Sequence, residues 1–189
     1  MRDARAVAIA RQSRQSVTLG AIPDYQPMAS QLTTERLSLR PWMESDVDAY
    51  RALITERGNG TPTVMDIRNR IATHLAASAH TGISLLAVCR RVEDDLIGYC
   101  GLVVGRSSLD APEIAYELFQ RVHGQGYATE AARAVLDAAV ATGRTRVWAT
   151  VGGANTPSLR VLDKLGFTRD RVTIKDNGSE IVWLTRVLP

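Results

Sequence analysis

The stretch from Glu113 to Val151 constrains the fold more than any other. It opens with EIAYELF, a run rich in apolar and aromatic residues that reads as a strand. A glycine-containing loop, QRVHGQG, follows. Thr129–Thr142 then places Ala131, Ala132, Val135, Leu136, Ala139 and Val140 on one helical face, and Gly143 ends the helix. RVWATV returns as a strand. Two strands separated by a helix of this length cannot form a hairpin. They must be joined by a crossover, which sets them parallel and is normally right-handed.

The flanking elements supply the rest of a sheet. RLSLRPW (Arg36–Trp42) alternates polar and apolar residues and stops at Pro41. Glu44–Thr55 reads as a helix with Ser45 as its N-cap, and Val64–Ala79 as a second helix with an Ile67, Ile71, Leu75 stripe. ISLLAVCRR and LIGYCGLVV are β-rich and joined by VEDD, a hairpin. Pro157–Leu165 predicts a short helix that starts at proline and stops at Gly166. Strands around Phe167–Lys175 and Glu180–Val187 meet at DNGS, a strong turn signal. The expected fold is α/β: a mixed, mostly antiparallel central sheet of about seven strands holding one parallel pair, flanked by about four helices.

The length of 189 residues fits one domain with a sizeable core. We expect that domain over residues 32–189. Residues 1–31 read as an N-terminal extension, flexible or partly helical: RDARAVAIARQSRQSV suits a frayed helix, and GAIPDYQPMAS is turn-rich. No apolar run approaches the ~20 residues of a membrane span. The N-terminal apolar stretch is cut short by Arg11, which argues against a secretory signal. A cytoplasmic protein with no membrane partner is expected.

Charge gives little. The net charge is +3, and residues 1–30 contribute four arginines against two aspartates, which leaves the domain near neutral. That is no nucleic-acid surface. Cys89 and Cys100 sit in apolar strand runs without a C-x-x-C pattern and read as inert thiols. His74 and His80 are six residues apart, on different helical faces, and His123 stands alone. No metal is expected.

The glycine loop has two readings. Arg121, Gly124 and Gly126 between a strand and a helix suit a plain tight turn. They also suit an anion cradle, because glycine lets a ligand approach the backbone and the first amides of a helix lack internal partners. The loop completes neither a dinucleotide fingerprint, since Thr129 stands where the third glycine belongs, nor a P-loop. Asn155 follows a strand and Ser158 opens the next helix; each alone is equally a cap or loop residue.

Together the two segments resemble the GNAT superfamily of N-acetyltransferases. Its [Gln/Arg]-x-x-Gly-x-[Gly/Ala] motif is matched by Arg121, Gly124 and Gly126, and its downstream Asn and Gly-Phe by Asn155, Gly166 and Phe167. LTTERLSLRPW, GYCGL and NTPSLRVLDKLGF resemble the ribosomal-protein-alanine acetyltransferase branch, over about Leu32 to Leu188. The resemblance implies an acyl-CoA N-acyltransferase fold whose two parallel strands splay apart, with acetyl-CoA in the gap. Leu118, Phe119 and Gln120 would offer backbone groups to pantetheine. The amides of Arg121, Gly124, Gln125, Gly126, Tyr127, Ala128 and Thr129 would hold the pyrophosphate. Asn155 would bond the pantetheine arm, and Ser158 would sit near the sulfur.

The chain departs from the pattern twice. His123 stands where the branch commonly has Trp; it is either a spacer or a partly protonated group that attracts phosphate. Leu162 stands where many relatives carry a Tyr that protonates the leaving thiolate, so Ser158, water or the substrate must do so. Acetyl transfer also needs a neutral amine. Glu113 and Glu117 alternate onto one strand face, and either is a candidate base, with Glu117 nearer the splay; both also suit structural roles or the attraction of a cationic acceptor. A backbone amide of the same strand is expected, by resemblance, to face the developing oxyanion. No Ser-His-Asp or Cys-His arrangement is evident, so direct transfer to an amine, a protein N-terminus or a small molecule, is expected of a monomer or homodimer. The rival reading is a non-catalytic acetyl-CoA sensor.

Overall fold

The computed structural model describes residues 25–189. Most of the expected N-terminal extension therefore lies outside the described residues. An eight-stranded sheet runs in the order β1-β2-β3-β4-β5-β6-β8-β7. Its strands are β1 (Leu32–Thr33), β2 (Leu37–Arg40), β3 (Leu85–Arg90), β4 (Leu96–Val103), β5 (Glu113–Leu118), β6 (Arg146–Gly152), β7 (Thr168–Ile174) and β8 (Glu180–Val187). Every pairing is antiparallel except β5 with β6. The helices are α1 (Val47–Thr55), α2 (Val64–Thr81), α3 (Tyr127–Ala141) and α4 (Thr156–Lys164). The expected crossover is β5-α3-β6, and the strand beyond the expected seven is the two-residue β1.

Side-chain alternation assigns the helices to faces. Tyr99 and Glu117 meet Tyr50 of α1 and Arg57 beyond its end, whereas Tyr116 reaches Ser158 of α4. The α3 stripe is buried at Ala131, Ala132, Val135, Leu136 and Ala139, and covers the sheet on the α4 face. α1 and α2 lie on the other.

Several local expectations need correction. Ser45 is not a helix cap. Asp46 stands at the cap position of α1, but its carboxylate turns back, accepting from Met43 N at 2.8 Å and forming a fork with Arg40 at 2.7 and 2.8 Å. A short 3₁₀ turn over Glu44–Asp46 precedes α1. α2 starts with a reciprocal Thr63–Asp66 capping box and ends on left-handed Gly82. Its Ile67 and Ile71 are buried, but Leu75 is exposed. Helical spacing says which residues share a face, not how far the partner surface extends. α3 begins at Tyr127, two residues before the expected start.

Gln26 and Met28, ahead of β1, are tied down. Met28 is buried and its N–H bonds Gly82 O at 2.7 Å, while Gln26 N bonds Thr142 O at 3.1 Å. No helix among the described residues is long and apolar enough to cross a membrane.

Under α1, Trp42, Tyr50 and His74 stack, with Tyr50 Oη 3.2 Å from His74 Nε2. Burial, helped by nearby Arg70, holds the His74 imidazole below its ordinary value of 6.5. As pH falls, the unfolded chain therefore binds this proton first, so stability is complete above 6.5 and declines below it. The difference in pH slope between wild type and His74→Gln, from denaturant unfolding below pH 6.5, is expected to show this loss. Equal slopes would assign it elsewhere.

Candidate functional site

β5 and β6 share a single register pair, Glu113 with Trp148, and one bond outside it, Trp148 N to Pro112 O at 2.8 Å. Beyond that point the ladder stops and the strands diverge. The gap opens into a cleft of about 900 Å³ walled by the end of β5, the glycine loop, the start of α3 and the start of α4.

The loop is built to expose its backbone. Gly124 and Gly126 have φ of 76° and 85°, where a side chain is strained. A Cβ on Gly124 would meet nothing within 4 Å, so conformation and not crowding calls for glycine there. Gly126 caps α3, and no backbone N–H from Gly124 through Thr129 finds an acceptor among the described residues. This row of open amides at a helix N-terminus has the chemistry that suits an anion. Its outer side is held by Arg36, whose Nη1 donates to Gln125 O at 3.0 Å, whose Nε donates to Glu130 at 2.7 Å, and whose guanidinium lies over the Tyr127 ring. Glu130 also accepts from Thr34 Oγ1 at 2.6 Å. Burial alone would raise its carboxyl; Thr34 and Arg36 hold it below the ordinary value.

The other expected residues are placed with differing success. Asn155 caps α4, its Oδ1 accepting from Ser158 N at 3.2 Å, and both line the cleft. Arg121 turns away from it. Its guanidinium bonds Asp95 at 2.9 Å and lies over the Phe119 ring, tying the loop to the β3–β4 hairpin. Gln125 Nε2 bonds Arg121 O. Leu118, Phe119 and Gln120 reach the splay, but their backbone groups are largely taken within the protein. Phe119 N bonds Ile97 O, Phe119 O accepts from Val122 N, and Gln120 N donates to Glu56 Oε2 at 3.0 Å. Leu118 O accepts from His123 Nε2 at 2.9 Å. His123 thus folds back onto the strand end, which answers neither the spacer nor the phosphate expectation. The bond to Ile97 continues the pairing with β4, whereas Leu118 O has no β6 partner beyond the splay and finds one in His123.

The two glutamates separate. Glu113 is buried outside the cleft lining, its carboxylate accepting from Arg106 N and from Thr150 Oγ1 at 2.8 Å. The structure places it away from the cleft, with both oxygens holding the β4–β5 loop and β6. Glu117 lines the cleft but is gripped by Arg57, with Nε at 2.8 and 3.0 Å from its oxygens and Nη2 also in contact. The same guanidinium donates to Tyr99 Oη at 3.0 Å. The carboxylate raises the Arg57 value, and burial pushes the Tyr99 phenol up.

Sequence reasoning missed Arg57, Tyr99 and Tyr116. Tyr116 lines the cleft, and its hydroxyl crosses the splay to donate to Ser158 O at 3.1 Å. Burial keeps this phenol protonated well above the usual range. Leu162 is fully buried in the core and does not reach the cleft. The Tyr at 116 was visible as a strand residue, but nothing in its neighbours said that its hydroxyl reaches α4.

A second groove of about 550 Å³ runs over α3 and shares Gly126, Thr129 and Lys164 with the cleft; Arg133 and Arg36 line it too. Among the described residues no cluster of three His, Cys, Asp or Glu could hold a metal.

Comparison with known proteins places these features in company. Residues 36–168 match the family model described as the acetyltransferase (GNAT) domain. The chain is 29% identical over 147 residues to p20, an uncharacterized N-acetyltransferase of Bacillus licheniformis, covering 74% of this chain and 83% of that one. A Bordetella pertussis protein assigned to the GnaT family of acetyltransferases superposes with a TM-score of 0.74 at 25% identity, covering 84% of this chain and 99% of that one. The fold is shared with yncA of Salmonella typhimurium, solved with its cofactor acetyl-CoA, at a TM-score of 0.67 and 19% identity over 81% of this chain and 94% of that one.

Proposed function

The chain belongs to the acetyltransferase (GNAT) family, and from that premise we propose that it moves the acetyl group of acetyl-CoA directly to a primary amine, a protein N-terminus or a small-molecule amine, without an acyl-enzyme. The observation that carries this reading is the row of unpartnered amides from Gly124 to Thr129 opening onto the β5–β6 splay. A pyrophosphate is the ligand chemistry that such a row suits. Arg133 and Lys164 in the adjoining groove suit further phosphate. Asn155 and Ser158 stand at the α4 end, where the pantetheine arm would run. His123 and Glu56 would have to swing off Leu118 O and Gln120 N for those groups to serve.

Acetyl-CoA supplies the electrophilic thioester carbonyl; the remaining work falls to this chain's own groups. Glu117 is the carboxylate on the β5 wall. Arg57 fixes this carboxylate in place, and the lone pair left on Oε1 accepts from and orients the incoming amine, whose proton passes to water. Tyr116 is the proton donor to the departing sulfur, and the proton that the nitrogen sheds as the amide forms restores the phenol through water: the group stays protonated, it lines the cleft, and its hydroxyl lies against the α4 start. Among the described residues no Ser or Cys hydrogen-bonds a His, which supports direct transfer.

Calorimetry with acetyl-CoA and a thiol-release assay over a broad amine panel test the reading. Saturable binding and amine-dependent thiol release are expected. Wild-type protein that does not bind acetyl-CoA would end it. Binding without release on every amine would replace it with a sensing role.

A further inference from the structure

Among the described residues β7 is exposed along its length, and α4 packs against β6 of the β6-β8-β7 half of the sheet from one face. On the other, Trp148 and Trp183 pack edge to face at 6.2 Å and remain partly exposed. Three arginines converge on this pair. Arg171 lies over the Trp183 ring at 4.1 Å and over Trp148 at 5.5 Å. Arg146 bonds Thr185 Oγ1 at 3.1 Å, and Arg106 bonds Thr150 Oγ1 at 3.0 Å. Arg106 and Arg146 form no ion pair among the described residues, and Arg171 is balanced only by exposed Asp170. Glu113, which shares Thr150 with Arg106, is buried with both oxygens engaged. The result is a cationic, indole-floored plate, a composition typical of interface hot spots.

We propose that this plate docks an acidic polypeptide whose N-terminal amine is the acetyl acceptor. The inference rests on the acetyl-transfer reading of the adjoining cleft. β6 runs from Trp148 through Thr150 to Gly152, where the splay is open. At the rise of a strand that is ~13 Å, or about four residues of extended chain. A peptide with its amine in the cleft therefore lays its next residues over Thr150, Trp148 and Trp183. Carboxylates there meet guanidinium groups, which pair with them in two-point fashion, while the indoles take the backbone and apolar parts. A small amine would leave the plate unused. A nucleic acid would match the charge but has no aliphatic primary amine to present.

The test uses peptides with a free N-terminal alanine followed either by aspartates and glutamates or by lysines and arginines. Wild type is expected to acetylate the acidic peptide with a kcat/KM at least about tenfold higher, mostly through KM, and to lose that margin as salt screens the contact. Arg146→Glu with Arg171→Glu should reverse the preference, and Trp183→Ala should raise KM for both peptides, with acetyl-CoA affinity unchanged in each variant. Titration of the acidic peptide should shift tryptophan fluorescence, and Trp183→Ala should reduce the shift. Equal turnover of the two peptides by wild type, or an unchanged preference after charge reversal, overturns the proposal. So does self-association broken by Trp183→Ala, or binding of a homopolymer RNA lost on charge reversal while peptide turnover persists. A wild-type chain that failed to bind acetyl-CoA but bound the acidic peptide through the plate would sink the transfer reading and keep the docking surface.

Discussion

Gly126→Trp is expected to lower acetyl-CoA affinity by at least about a hundredfold, roughly 3 kcal/mol, while the chain still folds. Two effects act at this position and they separate cleanly. Gly126 has a φ of 85°, so any side chain there costs about 1–2 kcal/mol in backbone strain. The space around it is open: a Cβ would meet only Arg36 Nη2, at 3.4 Å. Gly126→Ala should therefore carry the strain with little obstruction, and the two variants should show similar losses of melting temperature. Only the indole covers the amides of Tyr127, Ala128 and Thr129. Calorimetry should find Gly126→Ala close to wild type and Gly126→Trp weak or silent. Equal affinity in all three would remove the loop from cofactor binding.

Tyr116→Phe is expected to reduce kcat by about a hundredfold or more, the usual range for loss of a general acid, with acetyl-CoA affinity little changed. The hydroxyl also bonds Ser158 O, so a structural contribution has to be told apart. A selenoester analogue of acetyl-CoA does this: its selenolate leaves with less need of a proton, and the penalty of Tyr116→Phe should shrink on it. A purely structural loss would be the same on both. Ser158→Ala serves as the comparison and is expected to lower kcat less than Tyr116→Phe. The opposite order would move the proton donor to Ser158. Because burial holds the phenol protonated beyond its usual range, wild type should show no loss of rate from this group between neutral pH and pH 10.

Much of the fold was legible along the chain because it rests on local patterns. The α3 stripe, the DNGS turn and the strand-helix-strand order from Glu113 to Val151 each carry a periodicity or a turn chemistry that acts over a few residues. The glycine turn and its open amides were legible for the same reason, since Gly124, Gly126 and the helix after them are contiguous. Ser45 failed as a cap because Arg40, on another element, recruits Asp46 into a buried fork. Leu75 failed as a core residue because its exposure depends on what lies opposite α2.

Alternation put Glu113 and Glu117 on one face, but it says nothing about what faces them. Thr150 and the Arg106 amide claim the first, and Arg57, sixty residues away in sequence, claims the second. Tyr116 became a candidate acid only when the splay set its hydroxyl against α4, and the plate exists only because β6, β8 and β7 stand side by side. By itself the sequence determined the order of elements, the crossover and the open amides, all products of backbone preference and short-range periodicity. Which carboxylate faces the cleft, which hydroxyl reaches across to α4 and where cations gather were decided by tertiary structure, because each depends on partners brought together only by packing.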